Sequence, residues 1–194
     1  MPKTPIARPL RIAECEPSAA GHLAKVYNAQ FAKYAPPFCP PILEEEFLVG
    51  MAEFTGDDRP VSRLGLSSLR LLQVTRGGRI LGLAHVAVET KTWEETVTRR
   101  GLIRLLTFDR DHRDAGEALL AASEAYFAER GVHDICASPW FAPVRFIHTG
   151  REGVATSHPH LLALFGLGGY SVWRANHIMA ADIGASEAPL PERE

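Results

Sequence analysis

The part of this 194-residue chain best suited to chemistry runs over 102–120, Leu-Ile-Arg-Leu-Leu-Thr-Phe-Asp-Arg-Asp-His-Arg-Asp-Ala-Gly-Glu-Ala-Leu-Leu. It reads as an apolar strand entering a tight, charged turn and then a helix that opens with the small residues Ala115 and Gly116. In such a unit the N–H groups of the first helical turn converge, and the helix dipole adds partial positive charge. The chemistry offered is anion binding, of a phosphate above all. Every strand-to-helix connection has such donors, so the pattern alone also fits plain packing. Histidine is the side chain closest to neutral pKa, but the eight histidines are scattered. His85 shares a strand face with Leu81 and Leu83 and reads as a core residue. Cys15, Cys39 and Cys136 are odd in number and outside any CxxC pattern, which suits reduced thiols and neither a disulfide frame nor a metal site.

The elements that must position this unit follow from periodicity. A short strand is expected over 10–14. Ser18 is placed to cap a helix whose apolar residues Leu23, Val26, Tyr27, Phe31 and Tyr34 recur at helical spacing. Pro36 and Pro37 end it, and four prolines over 35–42 make a stiff loop. A second helix is expected from Leu43 to Phe54, with Glu44, Glu45 and Glu46 at the positive end of its dipole. Strands over 69–75 and 79–89 flank the glycine turn at 76–78. A polar stretch, 90–98, precedes a strand over 101–108 that is apolar enough to be covered on both faces. The clearest helix spans 115–130, with Gly131 at the position of a left-handed cap. A strand over 134–138 ends at Pro139, a short helix covers 159–167, and 170–183 has strand-like composition. Residues 1–9 form an irregular lead-in, 10–183 one domain, and 184–194 a disordered tail. The expected class is α/β (α+β), a mixed, mostly antiparallel twisted sheet with helices on both faces.

With 21 Lys and Arg against 23 Asp and Glu the formal charge is −2, and apolar residues make up 46%. That balance excludes disorder and a strongly basic nucleic-acid binder. There is no run long enough to span a bilayer and no apolar h-region at the N-terminus, so a cytoplasmic location is expected.

The 102–120 segment resembles the GNAT superfamily of acetyltransferases. Leu106-Thr107-Phe108 is similar to that family's V-x-P-like strand pattern. The run from Asp111 to Gly116 is similar to its [QR]-x-x-G-x-[GA] loop, and Glu117-Ala118-Leu119-Leu120 to its helix start. The order of elements also looks like GNAT over roughly 10–183, down to Gly169-Tyr170 where the family has Gly-Phe. Two consensus positions differ: Asp111 replaces Gln or Arg, and Asp114 replaces the first glycine.

The resemblance implies acetyl-CoA as co-substrate, with the acetyl group passing to the amine of a small molecule or peptide by direct attack. Backbone groups of Leu106 and Phe108, flanking Thr107, would pair with the pantetheine arm. N–H groups over Arg113, Asp114, Ala115 and Gly116, leading into Glu117, would hold the diphosphate. The attack needs a base and an acid. Base candidates are Glu89, Glu94, Glu95, His158 and His160. The family often has a tyrosine acid a few residues before Gly-Phe, where this chain has Phe165, which leaves Tyr170 as the nearby hydroxyl. Phe38 and Trp140, with Trp93 and Phe141, are candidates for an acceptor wall. The loop carries Asp109, Asp111 and Asp114 against Arg110 and Arg113. This acidity and Phe165 favour an alternative: a GNAT-fold domain without catalysis, serving a structural, acyl-CoA-binding or interaction role. The chain also looks one strand short at its end, so a second copy, a second GNAT-like domain, or the 139–157 segment is expected to cover the last strand.

Overall fold

The computed structural model describes residues 8–32, 41–47, 65–93, 95–139, 154 and 158–172. Five strands form one sheet in the order β1-β2-β3-β4-β5: β1 Leu10–Glu14, β2 Leu66–Arg76, β3 Arg79–Trp93, β4 Thr96–Phe108 and β5 Ile135–Ala137. Neighbours are antiparallel except β4 and β5, which run parallel. Helix α1 spans Ala20–Tyr27 and widens into a π-helical turn over Asn28–Ala32; α2 spans Arg113–Ala128 and α3 Pro159–Leu167.

Strand alternation shows how the layers are arranged. The Phe108 ring packs on α2 at Gly116, whereas the hydroxyl of the preceding Thr107 donates to Gln30 Oε1 on the π turn, at 3.2 Å. Successive strand residues point to opposite faces, so α1 and α2 lie on opposite faces of the sheet. Helix α3 shares the α2 face, since Leu120 packs at Gly168 and Tyr170 reaches Glu124. The core follows this sandwich: Leu81, Leu83, Val86, Ile103, Leu106 and Leu119 are each at most 5% exposed.

The expected mixed sheet with helices on both faces is what forms, and several local expectations change. Ser18 does not cap α1. It sits in a 3-10 turn, Pro17–Ala19, where the Ala19 N–H donates to Glu16 O and no side chain caps the helix. The polar stretch 90–98 is not a loop but the end of a β3–β4 ribbon, with Thr90 opposite Arg99 and Trp93 opposite Thr96. Its threonines and Val97 favour extended backbone, and its polarity reflects a ribbon running out beyond the helical layers. Helix α2 begins two residues earlier than expected, at Arg113, and β5 is shorter, at three residues. The Gly77-Gly78 turn takes positive φ at both residues, +60° and +86°, as a tight hairpin between twisted strands requires.

Of the second helix only a turn over 44–47 is described. The Glu46 carboxylate accepts from the Leu43 N–H, a capping contact. Asn28 brackets Ile42 with two hydrogen bonds, 2.9 and 3.0 Å, which pins this segment to α1. The rest of that helix, most of the proline loop, the tail and all but 170–172 of the strand expected over 170–183 lie outside the described residues; 170–172 are not strand.

Candidate functional site

The site grows from the edge of β4. Strand β5 pairs with β4 only at Gly101, Leu102 and Ile103, and the Ser138 N–H then donates to Ile103 O at 2.7 Å. Ser138 adopts φ +52° and Pro139 follows, which ends the regular pairing seen among the described residues. Among the described residues no strand pairs with β4 on that side from Arg104 onward. The Asp109 N–H donates to Leu81 O on β3, at 2.7 Å. By alternation, Phe108 and Leu106 direct their backbone groups the other way, toward the edge that has no partner among the described residues. An extended ligand could add there as a strand does.

A bulge sits beside this edge. His85 pairs with Leu105 but Val86 with Ile103, which leaves Arg104 as the extra residue. Both His85 and Arg104 are buried. Burial, and secondarily the Arg104 charge, hold the His85 pKa well below its ordinary value, so the imidazole is neutral. Arg104 was not singled out from the sequence, because an arginine in an apolar strand carries no signal of the bulge that buries it.

Beyond Phe108 the chain turns through Asp109, Arg110, Asp111 and His112 into α2. The Ala115 N–H donates to His112 O at 2.9 Å and lies 3.0 Å from Asp114 Oδ1. The Gly116 N–H makes a longer bond to His112 O, 3.4 Å. Gly116 is buried, and a Cβ there would fall 2.7 Å from Phe108 Cε1, so its missing side chain lets helix and strand approach. Arg113 and Glu117 pair along the helix at 2.8 Å. Asp114 pairs with Arg76 and Asp109 with Arg79, 2.6 Å, both arginines coming from the β2–β3 hairpin. A cavity of about 570 Å³ opens beside this junction, lined by Gln30 and His22 of the α1 layer, Arg79, and Phe108 to Asp111.

The candidate acid and base groups sit on different elements. Glu89 is buried on β3 opposite Arg100, with Lys91 Nζ 2.9 Å from its Oε1. It is five residues along β3 from Ala84, the partner of Leu106, or about 17 Å at strand rise. His158 is buried just before α3; its ring lies 6.0 Å from that of His160, which meets the Phe108 ring edge-on at 5.1 Å. Burial, then the Arg110 charge, lower the His160 pKa. Tyr170 donates its hydroxyl to Glu124 Oε1 at 3.1 Å and packs on Phe165. Burial and the Glu124 carboxylate push its pKa up, which makes it a poorer proton donor. Phe38, Trp140, Phe141, Glu94 and the Trp93 side chain lie outside the described residues. Among the described residues no group of His, Cys, Asp and Glu could hold a metal ion, and no helix is long and apolar enough to cross a membrane.

No family model and no curated protein matches the chain. Solved structures do. The chain is similar to a transcriptional regulator from Bacillus halodurans C-125, with TM-score 0.61 and 14% identity, covering 89% of this chain and 100% of that one. It is similar to the aminoglycoside N-acetyltransferase AAC(6')-Iy in complex with CoA, with TM-score 0.58 and 10% identity, covering 92% and 97%. It is also similar to glucosamine-6-phosphate N-acetyltransferase from Arabidopsis thaliana, with TM-score 0.53 and 14% identity, covering 90% and 99%. The fold is therefore that of the GNAT acetyltransferases.

Proposed function

We propose that this chain is a GNAT-type acyltransferase that moves an acetyl group from acetyl-CoA to the amine of a small molecule or peptide. The observation that carries the reading is the β4 edge. Among the described residues the outward backbone groups of Leu106 and Phe108 have no strand partner, and the strand leads through 109–112 to the α2 N-terminus. The pantetheine arm carries amides that such an edge can pair, and a diphosphate suits the helix start. Two of the similar structures are acetyltransferases of amine-bearing sugars, and one of those contains CoA.

The thioester would supply an activated acyl group, so that the attacking amine forms a C–N bond as the C–S bond breaks and the thiolate leaves. The protein's share is to hold both reactants close and exclude competing water, which can account for much of such a rate. The amine proton goes to a base and the thiolate collects a proton; Glu89, His158 and Tyr170 remain the proposed groups. Phe38 and Trp140 are proposed for the acceptor.

A second reading, a GNAT-fold domain that binds acyl-CoA without catalysis, is favoured by the engagement of Tyr170 with Glu124 and the burial of Phe165. Calorimetry with CoA and acetyl-CoA tests both: binding at micromolar to millimolar ligand is expected, and no heat at millimolar ligand overturns them together. If CoA binds, release of CoA thiol from acetyl-CoA in the presence of amine pools separates the enzyme from the binding domain.

We take 10–183 as one unit, cytoplasmic, without nucleic-acid or membrane partners. We also keep the proposal that a second copy or a second GNAT-like domain covers the last strand. Sedimentation should then show a species heavier than 21.3 kDa for the self-paired form, and a monomer at all concentrations counts against it.

A further inference from the structure

The two carboxylates that make the β4–α2 connection look unfit for a diphosphate each end on an arginine from another element. Arg76, the last residue of β2, pairs with Asp114, and Arg79, the first residue of β3, pairs with Asp109. The hydrogen bond from Arg76, with its charge, holds the Asp114 carboxyl below the usual carboxylate range. Along the chain, 109–114 carries three aspartates and two arginines, a net of −1 with His112 neutral. In space, Arg76 and Arg79 bring the same neighbourhood to +1. Glu117, paired with Arg113 at 2.8 Å, brings that to neutral, so Arg110 balances Asp111 beside the cavity that Arg79, Asp109, Arg110 and Asp111 line. The hairpin reaches them because its glycine pair makes a turn tight enough to bring both arginines to one end of the sheet.

We propose that the β2–β3 hairpin supplies the charge half of the diphosphate site: Arg76 and Arg79 cancel Asp114 and Asp109, so that the α2 N-terminus can accept the diphosphate of a CoA thioester. The inference deepens the acyl-CoA reading and rests on it. Arg76 acts through Asp114, so it is a positioning residue, and the loss of a consensus glycine at 114 is offset by a residue 38 positions away. An uncancelled carboxylate within about 5 Å of a diphosphate weakens binding about fourfold in water-like surroundings, and more where water is excluded.

The test is calorimetry on the full chain with CoA and with dephospho-CoA, which keeps the diphosphate and lacks the 3′-phosphate. Arg76→Gln should weaken both ligands about four- to tenfold. Arg76→Lys should retain most of the affinity. Adding Asp114→Asn to Arg76→Gln should restore both to within about twofold of the wild type. Asp114→Asn alone, whose folding is checked by thermal melting, should bind at least as tightly as the wild type. Wild-type affinity in both Arg76→Gln and Arg79→Gln overturns the proposal, as does a double variant no better than Arg76→Gln, or weaker binding by Asp114→Asn. A loss seen with CoA but not with dephospho-CoA assigns the arginines to the 3′-phosphate and overturns it too. Failure of the wild type to bind CoA at all is a different result, because it removes the acyl-CoA reading itself.

Discussion

Gly116 shows how one residue can serve a loop pattern and a packing need together. Its buried Cα faces the Phe108 ring, and a Cβ would lie 2.7, 2.8 and 2.9 Å from three ring carbons. Gly116→Ala should therefore destabilise the fold by about 1–3 kcal/mol in urea unfolding, because overpacking forces helix and strand apart. Pairing it with Phe108→Leu should recover part of that loss, and equal stability of wild type and Gly116→Ala would show that the contact yields freely. His85 gives a pH signature. Its folded pKa is depressed below the ordinary 6.5 by burial and by Arg104, so the unfolded chain binds a proton that the folded chain refuses. Stability should be unaffected by this group above about pH 7 and should fall as pH drops below 6.5, by at most about 1.4 kcal/mol per pH unit. His85→Gln should flatten that fall in melting temperature between pH 7 and pH 5; an unchanged slope would assign it to other groups. Cys15 is the opposite case: burial first, then Glu14 and Glu16, push its thiol up to about 12, which makes it inert as a nucleophile.

Among the elements, β5 is short: it pairs with β4 at three residues and is followed by Ser138 in the left-handed region. A non-glycine residue in that conformation costs about 1–2 kcal/mol. Ser138→Gly should accordingly raise stability by up to about 1 kcal/mol, and Ser138→Val should lower it by more than 1 kcal/mol, as read by urea unfolding. Similar stabilities for the two variants would mean that the turn is held by something other than backbone preference. On the opposite side, the Gln30 amide donates to Leu81 O at 3.0 Å while its oxygen accepts from Thr107, so one side chain ties the π turn to β3 and β4. The backbone of Phe108 thus points away from β3 while the side chain of its neighbour Thr107 is fixed to the α1 layer. Strand β4 is braced by an element 77 residues earlier in the chain.

At the scale of the whole molecule, charge changes meaning between chain and fold. The linear pattern places an acidic loop at the start of α2, and the folded molecule brings two arginines against it. Nothing in the 76–79 turn forecasts this, since the contact spans 30 and 38 residues. The strand-turn-helix at 102–120, α3 and the hairpin at 76–79 were legible because period, turn glycines and caps are local signals. The ribbon at 90–98 was not, because polar threonines in a protruding strand resemble a loop. The candidate acid and base residues were chosen by type and by their place at element ends or beside Gly169-Tyr170, and the fold sets Glu89 five residues along β3 from the partner of Leu106 and turns Tyr170 onto Glu124.

The amino-acid sequence by itself determined the layered class and the succession of strands and helices from β2 to α3. All of these rest on interactions within a few residues, where periodicity and backbone preference dominate. The tertiary structure alone decided which β4 backbone groups point away from β3, where Arg104 is buried in its bulge and which arginines answer the acidic loop. Those depend on register and long-range pairing, since one bulge or one left-handed turn redirects every group beyond it.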